Sequence, residues 1–404
     1  MVGTLSERIL GGLASSYVDR EVDRAYVHDG TGVLTLETWR MMGEKGPVNP
    51  ERLAIIFDHI APANTSLTAN LQAELREFAR AHAIPFSEVG EGIAHQIMSE
   101  GRVLPGEIVV GADSHSCTLG AFGAFATGMG ATDMAAIWTS GMTWLRVPAT
   151  IAIELTGKLQ EPAEAKDVAL TYVSSLGMDG ATYCTLEFIG DGAATLSMSD
   201  RLTLCNLSVE AGAKAGLFYA DTTTLRYLRK YGVAAESQSP EECTYYREIP
   251  LDLSTIEPVV AVPPRVDTVK PVSALAGTPI HQVFVGTCTN GRYTDLERFA
   301  RIVRGKQVVI RTLVVPASRS VLLEATRTGV LADLVTAGCT VGIPGCGPCL
   351  GAHMGVLGEG EICLSTANRN FTNRMGVGGG IYLCSVATAA ASSLTGCITP
   401  PGES

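Results

Sequence analysis

The fold class is decided by the stretch Arg52-Leu53-Ala54-Ile55-Ile56-Phe57, an apolar run of strand length that the polar pair Asp58-His59 follows at once. Further apolar runs cover 107–110, 282–285 and 308–315. Helix-like stretches separate these runs, and such an alternation is typical of layered proteins with largely parallel sheets. The sequence therefore predicts an α/β fold.

The composition indicates a compact protein that acts on a small molecule. Of the 404 residues, 46% are hydrophobic and 18% are charged, and the formal net charge is -11. Nucleic acids and anionic membranes require clustered Lys and Arg, and the sequence has no basic block. The first fifteen residues lack a signal-peptide core, and no apolar run reaches the roughly 18 residues of a spanning helix. We therefore expect a cytoplasmic protein with neither nucleic acid nor membrane as its partner.

Two changes in composition predict domain boundaries. A proline-rich segment begins near Ser237, where helical periodicity is lost. An apolar run begins at Thr150, after a Gly/Ala-rich region from Leu119 that we interpret as a long helical region. The sequence thus predicts α/β domains over 1–149, 150–236 and 276–404, with an extended linker over 237–275.

Three cysteines in the second half of the chain form a ligand set with no evident fourth member. Cys288 lies in the run Gly-Thr-Cys-Thr-Asn-Gly-Arg, and Cys346 and Cys349 form a Cys-x-x-Cys pair. This spacing fits an iron–sulfur cluster, a zinc site completed by His353, a redox pair of the thioredoxin type, or inert thiols. A metal centre with three protein ligands keeps one position open for substrate. The other cysteines, which are expected in the core, are Cys117, Cys184, Cys205, Cys243, Cys339, Cys363, Cys384 and Cys397.

Polar residues follow the carboxyl ends of several predicted strands. The groups are Asp58-His59 after the first run, Asp113-Ser114-His115 after 107–110, Cys288 after 282–285, and Asn368-Arg369 after 362–364. Ligands bind at this edge of open α/β sheets, because the sheet is rigid and its loops converge there. The two His–carboxylate groups indicate proton relays tuned near neutrality, while helix caps and turns are an equally good interpretation of each group alone.

Two further groups have a functional and a plain interpretation. The stretch Ser197-Met198-Ser199-Asp200 predicts a capping box at the start of a helix that carries Asn206 and Glu210 on one face. Arg369 and Arg374 suit a dicarboxylate substrate, since guanidinium groups match carboxylates in geometry. A solvated polar stripe and surface salt bridges are the plain alternatives.

Together these motifs resemble the aconitase superfamily. The likeness is strongest to the short, archaeal-like large subunits of the 3-isopropylmalate dehydratase group, which are close to those of homoaconitase and 2,3-dimethylmalate dehydratase. The matching stretches cover 28–32, 57–59, 89–96, 111–118, 204–206, 286–292, 345–351 and 368–371. They occur in order over nearly the whole chain, so the resemblance outweighs the zinc and redox interpretations.

The resemblance implies three α/β/α domains around a central cleft, without the fourth, swivelling domain of full-length members. It also implies one [4Fe–4S] cluster per subunit, held by Cys288, Cys346 and Cys349, with one iron that no protein residue ligates. The residues that it assigns to catalysis are Asp58, His59, His95, Asp113, Ser114, His115 and Glu210. Those that it assigns to substrate binding are His28, Asn206, Asn368, Arg369 and Arg374.

The implied reaction is the dehydration and rehydration of a 2-hydroxy dicarboxylate or tricarboxylate through an alkene. We expect the conversion of 2-isopropylmalate to 3-isopropylmalate in leucine biosynthesis, with homoaconitase or 2,3-dimethylmalate dehydratase activity as the alternative. A separate small subunit would supply the swivelling domain, its serine base and a further arginine. From other classes, an iron-sensing RNA-binding protein and a zinc-stapled scaffold remain open, and the acidic charge disfavours the former.

Overall fold

The computed structural model of the protein describes residues 3–43 and 46–402. Strands and helices follow one another along this whole range. The strands are β1 Tyr17–Glu21, β2 Arg24–His28, β3 Leu53–Ile56, β4 Phe86–Ser87, β5 Ile108–Gly111, β6 Phe125–Gly128, β7 Met142–Arg146, β8 Ala149–Thr156, β9 Cys184–Ile189, β10 Ala215–Leu217, β11 Arg247–Asp252, β12 Val259–Ala261, β13 Val269–Pro271, β14 Gln282–Val285, β15 Arg311–Val314, β16 Thr340–Val341, β17 Ile362–Ser365 and β18 Gly380–Leu383. The helices are α1 Leu5–Leu10, α2 Asp29–Met41, α3 Ser66–Ala81, α4 Ala94–Ser99, α5 Ala131–Ser140, α6 Ala165–Leu176, α7 Asp191–Thr195, α8 Met198–Leu207, α9 Thr222–Lys230, α10 Thr287–Asn290, α11 Tyr293–Val303, α12 Arg319–Arg327, α13 Val330–Thr336 and α14 Val386–Thr395.

Most strands belong to one of three larger sheets. Sheet I has the strand order β4-β3-β2-β5-β6, and sheet II has the order β10-β9-β8-β11. Sheet III has the order β13-β12-β18-β17-β14-β15-β16, and β1 pairs with β7 in an antiparallel ribbon. Sheet I is parallel throughout, as are the run from β10 to β8 and the run from β18 to β16. Parallel sheets with helices between their strands confirm the predicted α/β class.

Contact density divides the chain into two units, each assembled from separate segments. Unit 1 comprises the chain up to Val89 with Ala94–Thr156 and Ala181–Leu251, and it contains sheet I and, apart from the last residue of β11, sheet II. Unit 2 comprises Gly90–Ile93, Gly157–Gly180 and Asp252–Ser404, and it contains sheet III. This grouping is coarser than the predicted domains over 1–149, 150–236 and 276–404, which remain predictions.

The core of unit 1 forms where sheet I meets α2, α3 and α5. Strands β3 and β5 are buried at every position, as expected for parallel strands that are covered on both faces. Phe78 of α3 stacks on Trp138 of α5 at a centroid distance of 5.2 Å and meets Trp39 of α2 edge-on at 5.3 Å. Each large apolar side chain buried in this way contributes about 1.5–3 kcal/mol. The helices therefore hold the strand ends of sheet I in fixed positions.

The core of unit 2 forms between sheet III and the helices α11 to α14. Val283 and Val285 of β14 pack in one cluster with Phe299 of α11 and Leu334 of α13. The predicted strand over 282–285 coincides with β14. The predicted run over 308–315 gives the shorter strand β15, because the N–H groups of residues 308 and 309 donate to the carbonyls of Ala337 and of residue 393 instead of to a neighbouring strand.

The prediction of a long helical region from Leu119 is wrong. The region contains the end of a 3₁₀ helix, Ser114–Phe122, and then β6, α5 and β7. Gly123 has a φ of 75° and ends the 3₁₀ helix, since the left-handed conformation favours glycine. A Cβ at Gly120 would lie 1.8 Å from the carbonyl oxygen of Gly216 in β10. The small residues of this region therefore reflect close packing and not helix propensity.

The segment 237–275, predicted as an extended linker, contains β11, β12 and β13 with short 3₁₀ turns. Strand β12 pairs antiparallel with β13 and, through Ala261, with β18. Whether this segment also acts as a linker remains a prediction. Among the described residues, no helix combines the length and the apolar character needed to cross a bilayer.

Replacing Gly120 with alanine should destabilise unit 1. The added methyl group would overlap the carbonyl oxygen of Gly216, which cannot move without disturbing β10. We expect the free energy of unfolding to fall by about 1–3 kcal/mol, as for other overpacked sites, measured by urea denaturation. The control is Gly130→Ala, whose methyl group would have its nearest neighbour at 3.7 Å and should cost less than about 1 kcal/mol. Equal losses in both variants would contradict the packing argument.

Candidate active site

The carboxyl ends of β3, β2 and β5, which are neighbours in sheet I, carry several of the predicted catalytic residues. His28 is the last residue of β2 and the N-cap of α2. Asp58 and His59 follow β3, while Asp113 follows β5 and caps the 3₁₀ helix that begins at Ser114. Because parallel strands end at the same edge of a sheet, these side chains lie together.

The carboxylate of Asp29 joins the end of β2 to the turn after β3. Its Oδ1 accepts the backbone N–H groups of Asp58 at 3.1 Å and His59 at 2.8 Å, and its Oδ2 accepts that of Ile60 at 2.7 Å. Hydrogen bonds to a charged acceptor are stronger than neutral ones, so the turn is firmly held. Asp29 is not among the site residues predicted from the sequence. The one sign of its importance there is that it is an acid in the first turn of a helix.

His59 and Asp58 form a largely buried ion pair. The Nδ1 of His59 lies 2.6 Å from the Oδ1 of Asp58, and the other oxygen of Asp58 accepts the N–H of Ala94 at 2.8 Å. Burial lowers the pKa of His59, but the charge of Asp58 and the hydrogen bond to it prevail and raise this pKa to about 9. Burial raises the pKa of Asp58, and the charge of His59 with the same hydrogen bond brings it below its ordinary value. His59 is therefore protonated at neutral pH.

The carboxylate of Asp113 lies close to the imidazole rings of several histidines. Its Oδ2 lies 3.5 Å from the Nε2 of His59 and 3.8 Å from the Nε2 of His28. Its Oδ1 lies 3.3 Å from the Nε2 of His95 and accepts the backbone N–H of His115 at 2.7 Å. Burial raises the pKa of Asp113, but the charge of His95 and the hydrogen bonds from His115 and His95 hold it well below its ordinary value. The carboxylate stays ionised and orients the rings around it.

His28 and His59 stack with a centroid distance of 3.7 Å and an interplanar angle of 17°. The Nδ1 of His28 accepts the backbone N–H of Gly30 at 3.1 Å, which places the proton of the neutral ring on Nε2. Burial and the charge of His59 lower the pKa of His28 to about 4, against the opposing effect of nearby carboxylates. The stacked pair therefore combines a neutral imidazole with a charged one.

Glu210 and Asn206 reach the same group of residues from α8 and the 3₁₀ helix 208–211 that continues it. Helix α8 begins at the predicted capping box. The Oε1 of Glu210 lies 2.9 Å from the Nε2 of His115, and both side chains are buried. Asn206 donates to the hydroxyl of Thr118 at 2.7 Å, and Thr118 donates to the carbonyl of His115 at 2.6 Å. Thr118, absent from the predicted set, thus ties α8 to the loop after β5.

A metal ion is one possible occupant of this edge, since ligand atoms of His28, Asp29, Asp58 and His59 lie within 4.8 Å of one another. Asp29 already accepts backbone donors with both oxygens, and Asp58 accepts from His59 and from a backbone N–H. The Nδ1 of His59 is likewise engaged, in its 2.6 Å hydrogen bond with Asp58. The arrangement therefore suits proton handling better than metal binding.

In unit 2, Asn368 contacts the sulfur atoms of two of the predicted cysteines. Its Nδ2 lies 3.5 Å from the Sγ of Cys288, and its Oδ1 lies 3.9 Å from the Sγ of Cys349. Cys288 lies in α10 just after β14, and Asn368 follows β17, which is the parallel neighbour of β14. Arg374 brings its Nη2 to 3.5 Å from the Sγ of Cys349. Arg369, the residue after Asn368, is half-buried.

Cys346 and Cys349 belong to a tight turn that ends in the 3₁₀ helix Gly347–Leu350. The N–H of Cys349 donates to the carbonyl of Cys346 at 3.2 Å, and both side chains are 7% exposed. Gly347 has a φ of 55°, and a Cβ there would lie 3.0 Å from Val315. Glycine is thus the residue that this turn requires between the two cysteines.

The residues of this turn and its neighbours fit a [4Fe–4S] cluster. Amide and guanidinium groups near sulfur are the contacts that tune thiolate-bound clusters. In the described part of the chain, which includes all eleven cysteines, no disulfide forms. Among the other cysteines, those that are buried as predicted are Cys117, Cys205, Cys339, Cys363 and Cys384. Those that are only half-buried are Cys184, Cys243 and Cys397.

These two sets of residues define a class of protein. The strand ends of sheet I carry imidazoles and carboxylates in contact with one another. Near sheet III, cysteine sulfurs have amide and guanidinium groups beside them. An enzyme that combines acid–base chemistry with a thiolate-bound metal centre has this equipment.

Comparison with known proteins identifies the family. Residues 6–396 match the family described as aconitase family (aconitate hydratase). The chain is 51% identical to the probable methanogen homoaconitase large subunit of Methanosarcina mazei, over 94% of this chain and 98% of that one. It is 45% identical to the 3-isopropylmalate dehydratase large subunit of Elusimicrobium minutum, over 100% of this chain and 99% of that one. The chain belongs to the aconitase family, as the sequence motifs predict.

A solved structure supports the fold. The crystal structure of Thermococcus kodakaraensis aconitase X in its holo form has a TM-score of 0.53 with this chain. The match covers 87% of this chain and 84% of the aconitase X chain, at 13% sequence identity. The predicted α/β fold of aconitase type is therefore confirmed.

Replacing Asp58 with asparagine should release the proton of His59. Without the negative charge, burial prevails, and we expect the pKa of His59 to fall from about 9 to below its ordinary value of 6.5. NMR titration of the histidine ring signals measures the shift, with His59→Gln to assign the resonance. A pKa that stays near 9 would contradict the ion pair.

The same pair predicts how stability depends on pH. Because folding raises the pKa of His59, its stabilising effect is complete below pH 6.5 and is lost as the pH rises through about 9. The difference in unfolding free energy between wild type and Asp58→Asn should therefore shrink above pH 9. Denaturant titrations at several pH values measure it, and a difference that grows with pH would count against the pair.

Proposed function

We propose that this chain is the large, cluster-bearing subunit of a hydro-lyase that isomerises a 2-hydroxy dicarboxylate by dehydration and rehydration. The observation that carries the proposal is the contact of Asn368 with the sulfurs of Cys288 and Cys349. The relatives are named large subunits of 3-isopropylmalate dehydratase and of homoaconitase, which supports the same class of reaction. Our first choice of substrate is 2-isopropylmalate.

In this proposal Cys288, Cys346 and Cys349 hold one [4Fe–4S] cluster, and one of its irons has no protein ligand. When bound, such a cluster supplies a Lewis acid for the substrate hydroxyl. Asn368 and Arg374 keep the thiolates in place through their contacts with sulfur. The half-buried guanidinium of Arg369 binds a substrate carboxylate, for which its planar fork is well suited.

The residues of sheet I handle the protons. His59 holds the proton that the departing hydroxyl takes up, because its pKa of about 9 keeps it charged at neutral pH. Asp58 fixes the ring through Nδ1, which leaves Nε2 as the donor. His115, held between Asp113 and Glu210, forms a second relay. Of the remaining assigned residues, His28 and Asn206 would contact substrate, while His95 and Ser114 would orient the relay.

A separate small subunit completes the proposed enzyme. By the family resemblance it supplies the swivelling domain with a serine base and a further arginine. The relatives' names, which call them large subunits, support such a partner. We place the protein in the cytoplasm, where reducing conditions preserve thiols for the cluster.

The cysteine ligands can be tested by substitution. We expect the wild-type chain to take up about four irons and four sulfides after anaerobic reconstitution and to absorb broadly near 400 nm. Each of Cys288→Ser, Cys346→Ser and Cys349→Ser should lose most of this band, since the thiolate is the better iron ligand. Cys397→Ser is the matched control, because the sulfur of Cys397 lies beside the hydroxyls of Thr395 and Thr399 and is not among the proposed ligands. A wild-type chain that binds zinc in place of iron and sulfide would overturn the proposal.

The substrate and the partner can be tested together. A second candidate activity, that of a homoaconitase, is favoured by the 51% identity to a relative named as a homoaconitase subunit. We expect the reconstituted chain alone to turn over at least about 100-fold more slowly than with a small subunit, because by the family resemblance the small subunit supplies the serine base. Ultraviolet absorbance of the alkene rises as 2-isopropylmalate is dehydrated and falls as homoaconitate is hydrated, and so it reports both rates. Full activity without a partner, or turnover of neither substrate, would contradict the proposal.

A further inference from the structure

Lys166 lies in the first turn of α6, in unit 2, with its side chain completely buried. Lysine is almost never fully buried unless its charge is compensated. A positive charge is also unfavourable at the N-terminus of a helix, where the dipole is positive. A methionine would fill the same volume without either cost. The positive charge of Lys166 must therefore have a role at this position.

The ammonium of Lys166 is bound by two consecutive backbone carbonyls. Its Nζ donates to the carbonyl of Thr366 at 2.7 Å and to that of Ala367. Both residues directly follow β17. One cation thus fixes the orientation of two neighbouring peptide groups at the end of a strand.

The segment Thr366–Ala367, whose carbonyls bind Lys166, is also hydrogen-bonded to the chain that precedes Cys288. The N–H of Thr366 donates to the carbonyl of Phe284 at 3.0 Å, and its hydroxyl accepts the N–H of Gly286 at 3.1 Å. The residue after Ala367 is Asn368, which contacts the sulfurs of Cys288 and Cys349. Lys166 is therefore one residue removed from the side chain that touches both cysteines.

The acids near Lys166 are occupied by other donors. Asp167 accepts the N–H groups of Glu164 at 2.8 Å and Val259 at 3.0 Å. Asp295 accepts one hydrogen bond from the side-chain amide of Asn290 at 2.9 Å and another from the backbone N–H of Arg292. Burial lowers the pKa of Lys166 to about 8, against the opposing effect of Cys384, Cys288 and the two acids. The ammonium form still predominates at neutral pH.

We propose that Lys166 is a positioning residue for the thiolate site. Its ammonium holds the carbonyls of Thr366 and Ala367 so that Asn368 presents its amide N–H to the sulfur of Cys288, and its charge offsets the negative charge of the bound thiolates. The inference rests on the proposed function, because it takes these thiolates to be cluster ligands.

The test compares Lys166→Met with wild type after anaerobic reconstitution. We expect Lys166→Met to take up iron and sulfide but to lose its 400 nm band to an iron chelator about tenfold faster, as for other outer residues of metal sites. Its reduction potential should be more negative, because a compensating positive charge is gone. A purely structural role for Lys166 would not move the potential in this direction.

Two further variants keep the test decisive. Lys158→Met removes an exposed charge just before α6 and should leave both readouts unchanged. Lys166→Arg keeps the positive charge, so its reduction potential should stay close to that of wild type. If Lys166→Met does not fold, Lys166→Arg decides, and a potential clearly more negative than that of wild type would overturn the inference.

The outcomes separate the two proposals. A wild-type chain that takes up no iron and sulfide would remove the proposed function. A wild-type chain that binds the cluster, beside a folded Lys166→Met with the same chelator rate and the same potential, would overturn the role of Lys166 alone.

Discussion

The carboxylate of Asp29 is the constraint on which the catalytic edge of sheet I depends. Three consecutive backbone N–H groups turn towards it after β3. Each donor left unsatisfied in that buried position would cost about 1–3 kcal/mol. With the turn fixed, Asp58 forms its ion pair with the Nδ1 of His59, and the Nε2 of His59 lies near the carboxylate of Asp113. One acid thereby sets the geometry of the residues to which we assign the proton transfer.

The charges at this edge are arranged so that neighbouring imidazoles differ in protonation. His59 sits between Asp58 and Asp113 and retains its proton, while His28, stacked on it, is neutral. Two positive rings in contact would repel each other, so charging one discharges the other. The pair can hold one proton at a defined place over a wide range of pH. Such an arrangement keeps the acid form available without changing the charge of the whole group.

The sequence alone predicts those features that depend on local patterns. Strand β3 was predictable because a strand buried on both faces has an uninterrupted apolar run. The region after Leu119 was not, because Gly120 serves a contact with β10, which lies about a hundred residues further along the chain. Asp29 and Thr118 were missed for the same reason, since their partners after β3 and in α8 are distant in sequence. The family motifs point to the three cysteines that we propose as cluster ligands, but not to Lys166, whose partners Thr366 and Ala367 lie 200 and 201 residues further along the chain.

Unit 2 takes its segment Gly157–Gly180 from the middle of the chain, between two segments of unit 1. A fragment expressed from Asp252 onward would therefore contain all three ligand cysteines and yet lack α6. It would also lack Glu164, whose carboxylate accepts the first N–H groups of α14. During synthesis, α6 leaves the ribosome long before the strands of sheet III exist. The segment 157–180 can therefore complete its packing in unit 2 only after the chain beyond Asp252 has been made.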